Sequence, residues 1–154
     1  MMKVRFLLLS ITCCLFFCSC NKLDVFEKDT TIPQYEWSST FQPSFDFDIT
    51  DTASTYRLYI VLRHTDAYRY NNIWLNIGSK FPGDTMSYQK LELELGNDAA
   101  GWEGSGMDDI WEVRKPIAKG AFKTGKYTFS IAQIMRENPL PNIMSIGMRM
   151  EKMN

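Results

Sequence analysis

A chain of 154 residues with 45% hydrophobic content has room for one compact domain and a leader. Its 17 Lys and Arg against 18 Asp and Glu form no basic run, which argues against nucleic acid, whose binding rests on neutralising phosphates. A single histidine cannot build a His-based metal centre, and no cysteine follows residue 20, so thiol-based metal and redox sites are also disfavoured.

The chain starts with Lys3 and Arg5 and continues into an apolar run from Phe6 to Phe17. That run falls short of the roughly 20 residues a spanning helix needs and matches the core of a secretory signal. In LFFCSCN, Ser19 precedes Cys20, the arrangement read by bacterial lipoprotein signal peptidase, although Phe17 stands where Leu is usual. The Cys20 thiol would take a diacylglycerol, and cleavage after residue 19 would free its amine for a further acyl chain. A plain signal peptide or an uncleaved anchor is the alternative. All four cysteines (Cys13, Cys14, Cys18 and Cys20) lie in this leader, so the exported domain must be held by its core alone. Acyl chains contribute about 0.8 kcal/mol per buried methylene, enough for durable attachment. Loss of residues 1–19 removes Lys3 and Arg5 and leaves a mature charge of −3, fifteen cations against eighteen acids. No cofactor is expected beyond the covalent lipid on Cys20, and no metal.

Residues 20–33 mix charges with few apolar residues and end at Pro33; they read as a lipidated N-terminus and tether before a domain over 34–154. Beyond them the apolar period is two. Phe45, Phe47 and Ile49 alternate with Asp46 and Asp48, and Tyr56, Leu58, Ile60 and Leu62 alternate with Arg57, Tyr59, Val61 and Arg63. Ile73, Leu75 and Ile77 follow, then Leu91, Leu93 and Leu95 around Glu92 and Glu94. Tyr127, Phe129 and Ile131 come next, and Ile146, Met148 and Met150 close the series. This is the half-buried strand pattern. DTAST (51–55), FPGD (81–84), GNDAAGWEGSG (96–106) and KTGK (123–126) punctuate it as turns. Only AQIMREN, 132–138, resembles a helix, stopped by Pro139 and Pro141. The expected fold is all-β: an antiparallel β-sandwich of jelly-roll type with one short helix near the C-terminus.

Few constellations suggest chemistry. Asp46, Asp48 and Asp51 could be posed as a calcium site, but the loop lacks the Gly and late Glu of that pattern. A solvated strand face followed by an Asp-headed turn explains them better. GWEGSG matches neither dinucleotide nor Walker spacing, and Ser105 lacks the glycines of a nucleophile elbow. His64 has no identifiable nucleophile, and Glu92 and Glu94 merely share a strand face. The protein is expected not to be an enzyme.

The aromatics are more informative. If Ile73, Leu75 and Ile77 face inward, Trp74 and Asn76 face outward, as Tyr59 and Arg63 do opposite Leu58 and Leu62. With Trp102 from the Gly-rich loop, these five residues are the candidate partner or ligand surface: rigid aromatic area beside planar hydrogen-bonding groups. A strand covered on both faces would make Trp74 core instead, and periodicity alone leaves both readings open.

YRLYIVLRHTDAYRYNNIWLNIGSKFPGDT (56–85), GWEGSGMDDI (101–110) and GKYTFSIAQIMRENPLPNIMSIGMRMEK (125–152) together resemble the GldH family of gliding-motility lipoproteins of Bacteroidetes. The shared pattern places Arg63 after a strand, then Tyr68 and Asn72-Ile73-Trp74, and ends on Met135-Arg136-Glu137, Pro139-Leu140-Pro141 and Gly147. The resemblance implies a non-enzymatic cell-envelope lipoprotein. It would associate with other envelope proteins of gliding and of the type IX secretion apparatus on which gliding depends. Asn21, rather than Asp, after Cys20 favours the outer membrane. A different reading of the same exposed aromatics is a membrane-tethered carbohydrate-binding module that stacks on glycan rings.

Overall fold

In a computed structural model that describes residues 25–153, the two-residue period becomes strand pairing almost everywhere. The order is β1 (Val25–Thr31), a 3-10 turn (Pro33–Tyr35), β2 (Glu36–Trp37), β3 (Ser44–Ile49), β4 (Thr55–Thr65), β5 (Asn72–Lys80) and β6 (Ser87–Glu94). The short strands β7 (Gly96–Asn97), β8 (Gly101–Trp102) and β9 (Ser105–Met107) follow. The chain ends with β10 (Ile110–Ala121), β11 (Gly125–Gln133), β12 (Leu140–Pro141) and β13 (Ile143–Met153).

Two antiparallel sheets face each other. One has the order β1-β13-β4-β10-β9 and the other β3-β11-β5-β6, with β12-β2 and β7-β8 as two-stranded additions. Register keeps each apolar set on one face. Leu62, Ile60 and Leu58 lie beside Ile146, Met148 and Met150, while Ile131 lies beside Ile77 and Phe129 beside Phe45. A slip of one residue would turn every such side chain to water. Ile32, Trp37, Leu75, Leu95, Ile131, Leu140 and Ile146 are fully buried in the resulting core. In β10 a bulge between Pro116 and Ala118 interrupts the pairing with β4. Pro116 lies beyond the stretch that pairs with β9, so its missing N–H faces no partner strand.

Two expectations need correction. No helix occupies 132–138. β11 runs on to Gln133, which is still inward and buried, and the only helical turn among the described residues is Pro33–Tyr35. Gln133 explains the bend that follows. Its Nε2 donates to the Trp37 carbonyl at 3.1 Å and its Oε1 accepts from the Met135 N–H at 2.8 Å. A side chain thus takes the bonds a helical turn would have made, and the chain reaches the cis Asn138–Pro139 bond without one. The second correction concerns the stretch read as tether. Residues 25–31 form β1, paired along its length with β13 from Val25↔Glu151 to Thr31↔Ser145, and Ile32 is fully buried. Ion pairing supports this strand, since Arg149 Nη1 meets Glu27 Oε2 at 2.7 Å. A segment of mixed charge can pair when its backbone completes a sheet edge. The leader, Cys20 and the first residues of the tether lie outside the described residues.

The strand directions define two ends. Val25, Thr55, Ala121 and Met153 lie together at one end of the first sheet, by the pairs Val25↔Glu151, Met153↔Thr55 and Ala121↔Thr55. The short connections β3–β4 and β10–β11 bring Ile49, Gly125 and Lys80 of the second sheet to the same end. Thr65, Asn72, Gln133, Ile143 and the 95–109 connection lie at the opposite end.

Candidate interaction face

β5 fixes which way the candidate residues point. Ile73, Leu75 and Ile77 are buried, and Trp74 between them is 40% exposed, so it projects from the outer face with Asn76. β4 alternates the same way, burying Leu58, Ile60 and Leu62 and turning Tyr59 and Arg63 outward. The two strands, however, belong to different sheets, because the connection after Thr65 crosses the sandwich. Tyr59 and Arg63 therefore lie on one outer face and Trp74 and Asn76 on the other. They cannot form one surface. Trp102 joins neither pair. It is half-buried at the far end, its ring edge-on to His64 at 4.6 Å between centroids.

The face carrying Tyr59 and Arg63 is occupied by its own charges. Arg63 Nε meets Glu112 Oε2 at 2.7 Å, and Arg114 Nη2 meets Glu112 Oε1 at 2.6 Å. Arg149 is held between Glu27 at 2.7 Å and Glu151 at 2.6 Å, and Arg57 Nη1 donates to the Tyr59 hydroxyl at 3.3 Å. Partial burial opposes ionisation of Glu112, but the two guanidiniums outweigh it and hold its carboxyl below the usual range. Arg63 is raised in turn, chiefly by its hydrogen bond to Glu112. Groups so matched have little left for a ligand.

The face carrying Trp74 differs. A groove of about 500 Å³ opens beside it, lined by Tyr70, Trp74, Lys90, Ile134, Met135 and Arg136. The chain past β11 forms one wall, because Ile134 N donates to the Trp74 carbonyl at 2.9 Å and Met135 Sδ lies 3.3 Å from the Trp74 nitrogen. Glu137 anchors that wall: it accepts the Tyr70 hydroxyl at 2.8 Å and forms an ion pair with Arg69. The same bond from its hydroxyl to Glu137 raises the Tyr70 pKa, which keeps the phenol a donor. Ile134 is 39% exposed, so the groove offers real apolar area next to the indole. Lys90, in register with Asn76, and Arg136 flank it, and among the described residues neither has an acidic partner. Tyr88, 64% exposed, stands further along the same face above Gly78.

Alternation puts Trp74 and Asn76 on the side of β5 opposite Ile73, Leu75 and Ile77, and the structure shows that this side is open. Ile134, Met135 and Arg136 were missed because that stretch read as a helix, and Lys90 because the β5–β6 register is not visible in one chain. The acidic trio does not converge. Asp46 bonds Thr128 and Lys126, whereas Asp51 heads a turn through Ala53 N at 2.9 Å and Ser54 Oγ at 2.8 Å. No group of three or more metal-ligating side chains occurs among the described residues.

A profile described as GldH lipoprotein matches residues 24–150, so the match includes β1 and ends within β13. The chain is 31% identical over 147 residues to a gliding motility lipoprotein GldH homolog of Christiangramia forsetii, covering 90% of each chain. It is 27% identical over 141 residues to the gliding motility lipoprotein GldH of Flavobacterium johnsoniae, covering 87% of this chain and 88% of that one. Among solved structures, the VP2 subviral particle of infectious bursal disease virus aligns at a TM-score of 0.34 and 11% identity, over 85% of this chain and 31% of that one. A profile match over residues 24–150, with relatives aligned nearly end to end, makes this chain a member of the GldH lipoprotein family of gliding motility.

Proposed function

We propose that the chain is an interaction subunit of the gliding-motility and type IX secretion machinery, anchored in the outer membrane by a diacylglyceryl group on Cys20. It docks on other envelope proteins through the groove beside Trp74. The observation that carries this reading is an exposed indole in an apolar groove flanked by two cations, Lys90 and Arg136, that meet no acidic side chain among the described residues. Exposed aromatic area next to uncompensated charge is the composition of a binding hot spot. Family membership supports the envelope address. The sandwich is read as a jelly roll: numbering its eight long strands in chain order, 1-8-3-6 faces 2-7-4-5, which supports that topology. The protein acts without catalysis.

The test is crosslinking and recovery of envelope partners from cells carrying Trp74→Ala or the pair Lys90→Glu and Arg136→Glu. Recovery should fall at least tenfold while the folded domain persists; unchanged recovery from both strains would remove the groove from the proposal. Proteomics of the medium from a deletion strain, complemented by wild type or by Cys20→Ala, tests the secretion role. Exported cargo should return only with the lipidatable copy. Quenching of Trp74 by glycans, with no protein partner lost, would instead favour the carbohydrate-binding reading.

A further inference from the structure

From Cys20 to Val25 there are five peptide steps, which span about 17 Å even when fully extended. If the lipid is on Cys20, as proposed above, the end of the sandwich where β1 begins cannot stand further than that from the bilayer. Its composition suits contact. Lys80, Lys119 and Lys123 project there and, among the described residues, meet no acidic side chain, whereas Asp51 is already held by Lys152 at 2.8 Å. Phe81 is 42% exposed in the β5–β6 connection, its ring resting against Tyr127 at 5.5 Å. The opposite end has the reverse sign: Asp66, Asp98, Glu103, Asp108, Asp109 and Glu137 outnumber Arg69 and Arg136 in its connections. The anchor end also holds exposed Asp48 and Asp84, so it carries only a small excess of cations, whereas the opposite end carries a clear excess of acids.

We infer that the end bearing Lys80, Phe81, Lys119 and Lys123 is a docking face for a bilayer with anionic headgroups, and that it holds the domain upright on its short tether. Lysine ammoniums near an anionic surface are attracted within a Debye length or two, and an exposed Phe inserts at the headgroup boundary. Repulsion of the acidic end by the same surface favours the same orientation. An upright domain carries the Trp74 groove, which lies toward the far end, clear of the membrane.

The test uses the mature lipidated protein in phosphatidylcholine vesicles with and without phosphatidylglycerol. Amide exchange in 80–86 and 119–125 should slow several-fold on the anionic vesicles, with 134–137 unaffected. High salt should abolish the difference, and so should joint Lys80→Glu, Lys119→Glu and Lys123→Glu. Equal exchange on both vesicle types overturns the inference, as does protection at 98–109, or protection at 80–86 that appears only when a second envelope protein is present. Mass spectrometry of the N-terminal peptide reports the anchor separately. A chain unmodified at Cys20 defeats the anchoring reading, and co-sedimentation of that chain with phosphatidylglycerol vesicles then decides the docking face by itself.

Discussion

The indole of Trp102 lies edge-on to the buried imidazole of His64, ring centroids 4.6 Å apart, and Tyr68 stands tilted against both. A residue from a Gly-rich loop thereby closes the far end of the core. Trp102→Ala should lower stability by about 2 kcal/mol, less than for a fully buried Trp because the ring is half-buried. Urea unfolding checks it; a midpoint shift close to zero would return Trp102 to the list of surface residues.

His64 should give the protein a pH dependence. Its Nδ1 donates to the Thr65 carbonyl at 2.8 Å, and its buried Nε2 has no hydrogen-bond partner among the described residues. Burial pushes the imidazole below its ordinary 6.5, and the Thr65 bond only partly opposes that. A depressed pKa means that the unfolded chain takes up the proton first. The His64 contribution is thus complete above 6.5 and is lost as pH falls below it. Unfolding midpoints between about pH 7.5 and about pH 5.5 should fall in wild type and change much less in His64→Phe.

Neighbouring residues on β5 separate packing from recognition. Ile73 is wholly buried, so Ile73→Ala should cost about 3 kcal/mol. Trp74→Ala should stay within about 1 kcal/mol because the indole projects from the outer face. Thermal melts of the two variants decide. Similar losses in both would mean that the outer face is covered.

Gln133 tests the bend that replaces the expected helix. Gln133→Leu leaves the Trp37 carbonyl and the Met135 N–H without their side-chain partner, at a cost of about 2 kcal/mol. Faster amide exchange at 134–137 should accompany the loss, because that wall of the groove is held at Met135 N.

Gly104 sits at φ +93, and a Cβ there would lie 2.1 Å from the Glu112 carbonyl oxygen. Gly104→Ala must therefore push β9 off β10, with a loss of about 2 kcal/mol or more. Reduced protection of 101–107 in exchange measurements, with the remaining strands unchanged, is the expected result.

How much was readable before folding follows from the range of each interaction. Alternation is local, so the chain alone puts Trp74, Asn76, Tyr59 and Arg63 on the side of their strands opposite Leu58 and Ile73; that the Trp74 side is open rather than covered comes from the structure. The family pattern is likewise linear, and family membership follows from the match over residues 24–150. Pairing is not local. Whether consecutive strands lie side by side or on opposite sheets depends on where the 66–71 connection crosses, and that crossing places Arg63 and Trp74 on opposite outer faces. The same long-range pairing draws the charged stretch 25–31 into a sheet edge against β13. It also lets Gln133 bond Trp37, far away in the chain, so the bend at Met135 displaces a helix that local propensity favoured. Sequence by itself determines which side of each strand is apolar; only the folded chain decides which outward sides share a surface, because backbone hydrogen bonds between distant segments carry no signature in either segment alone.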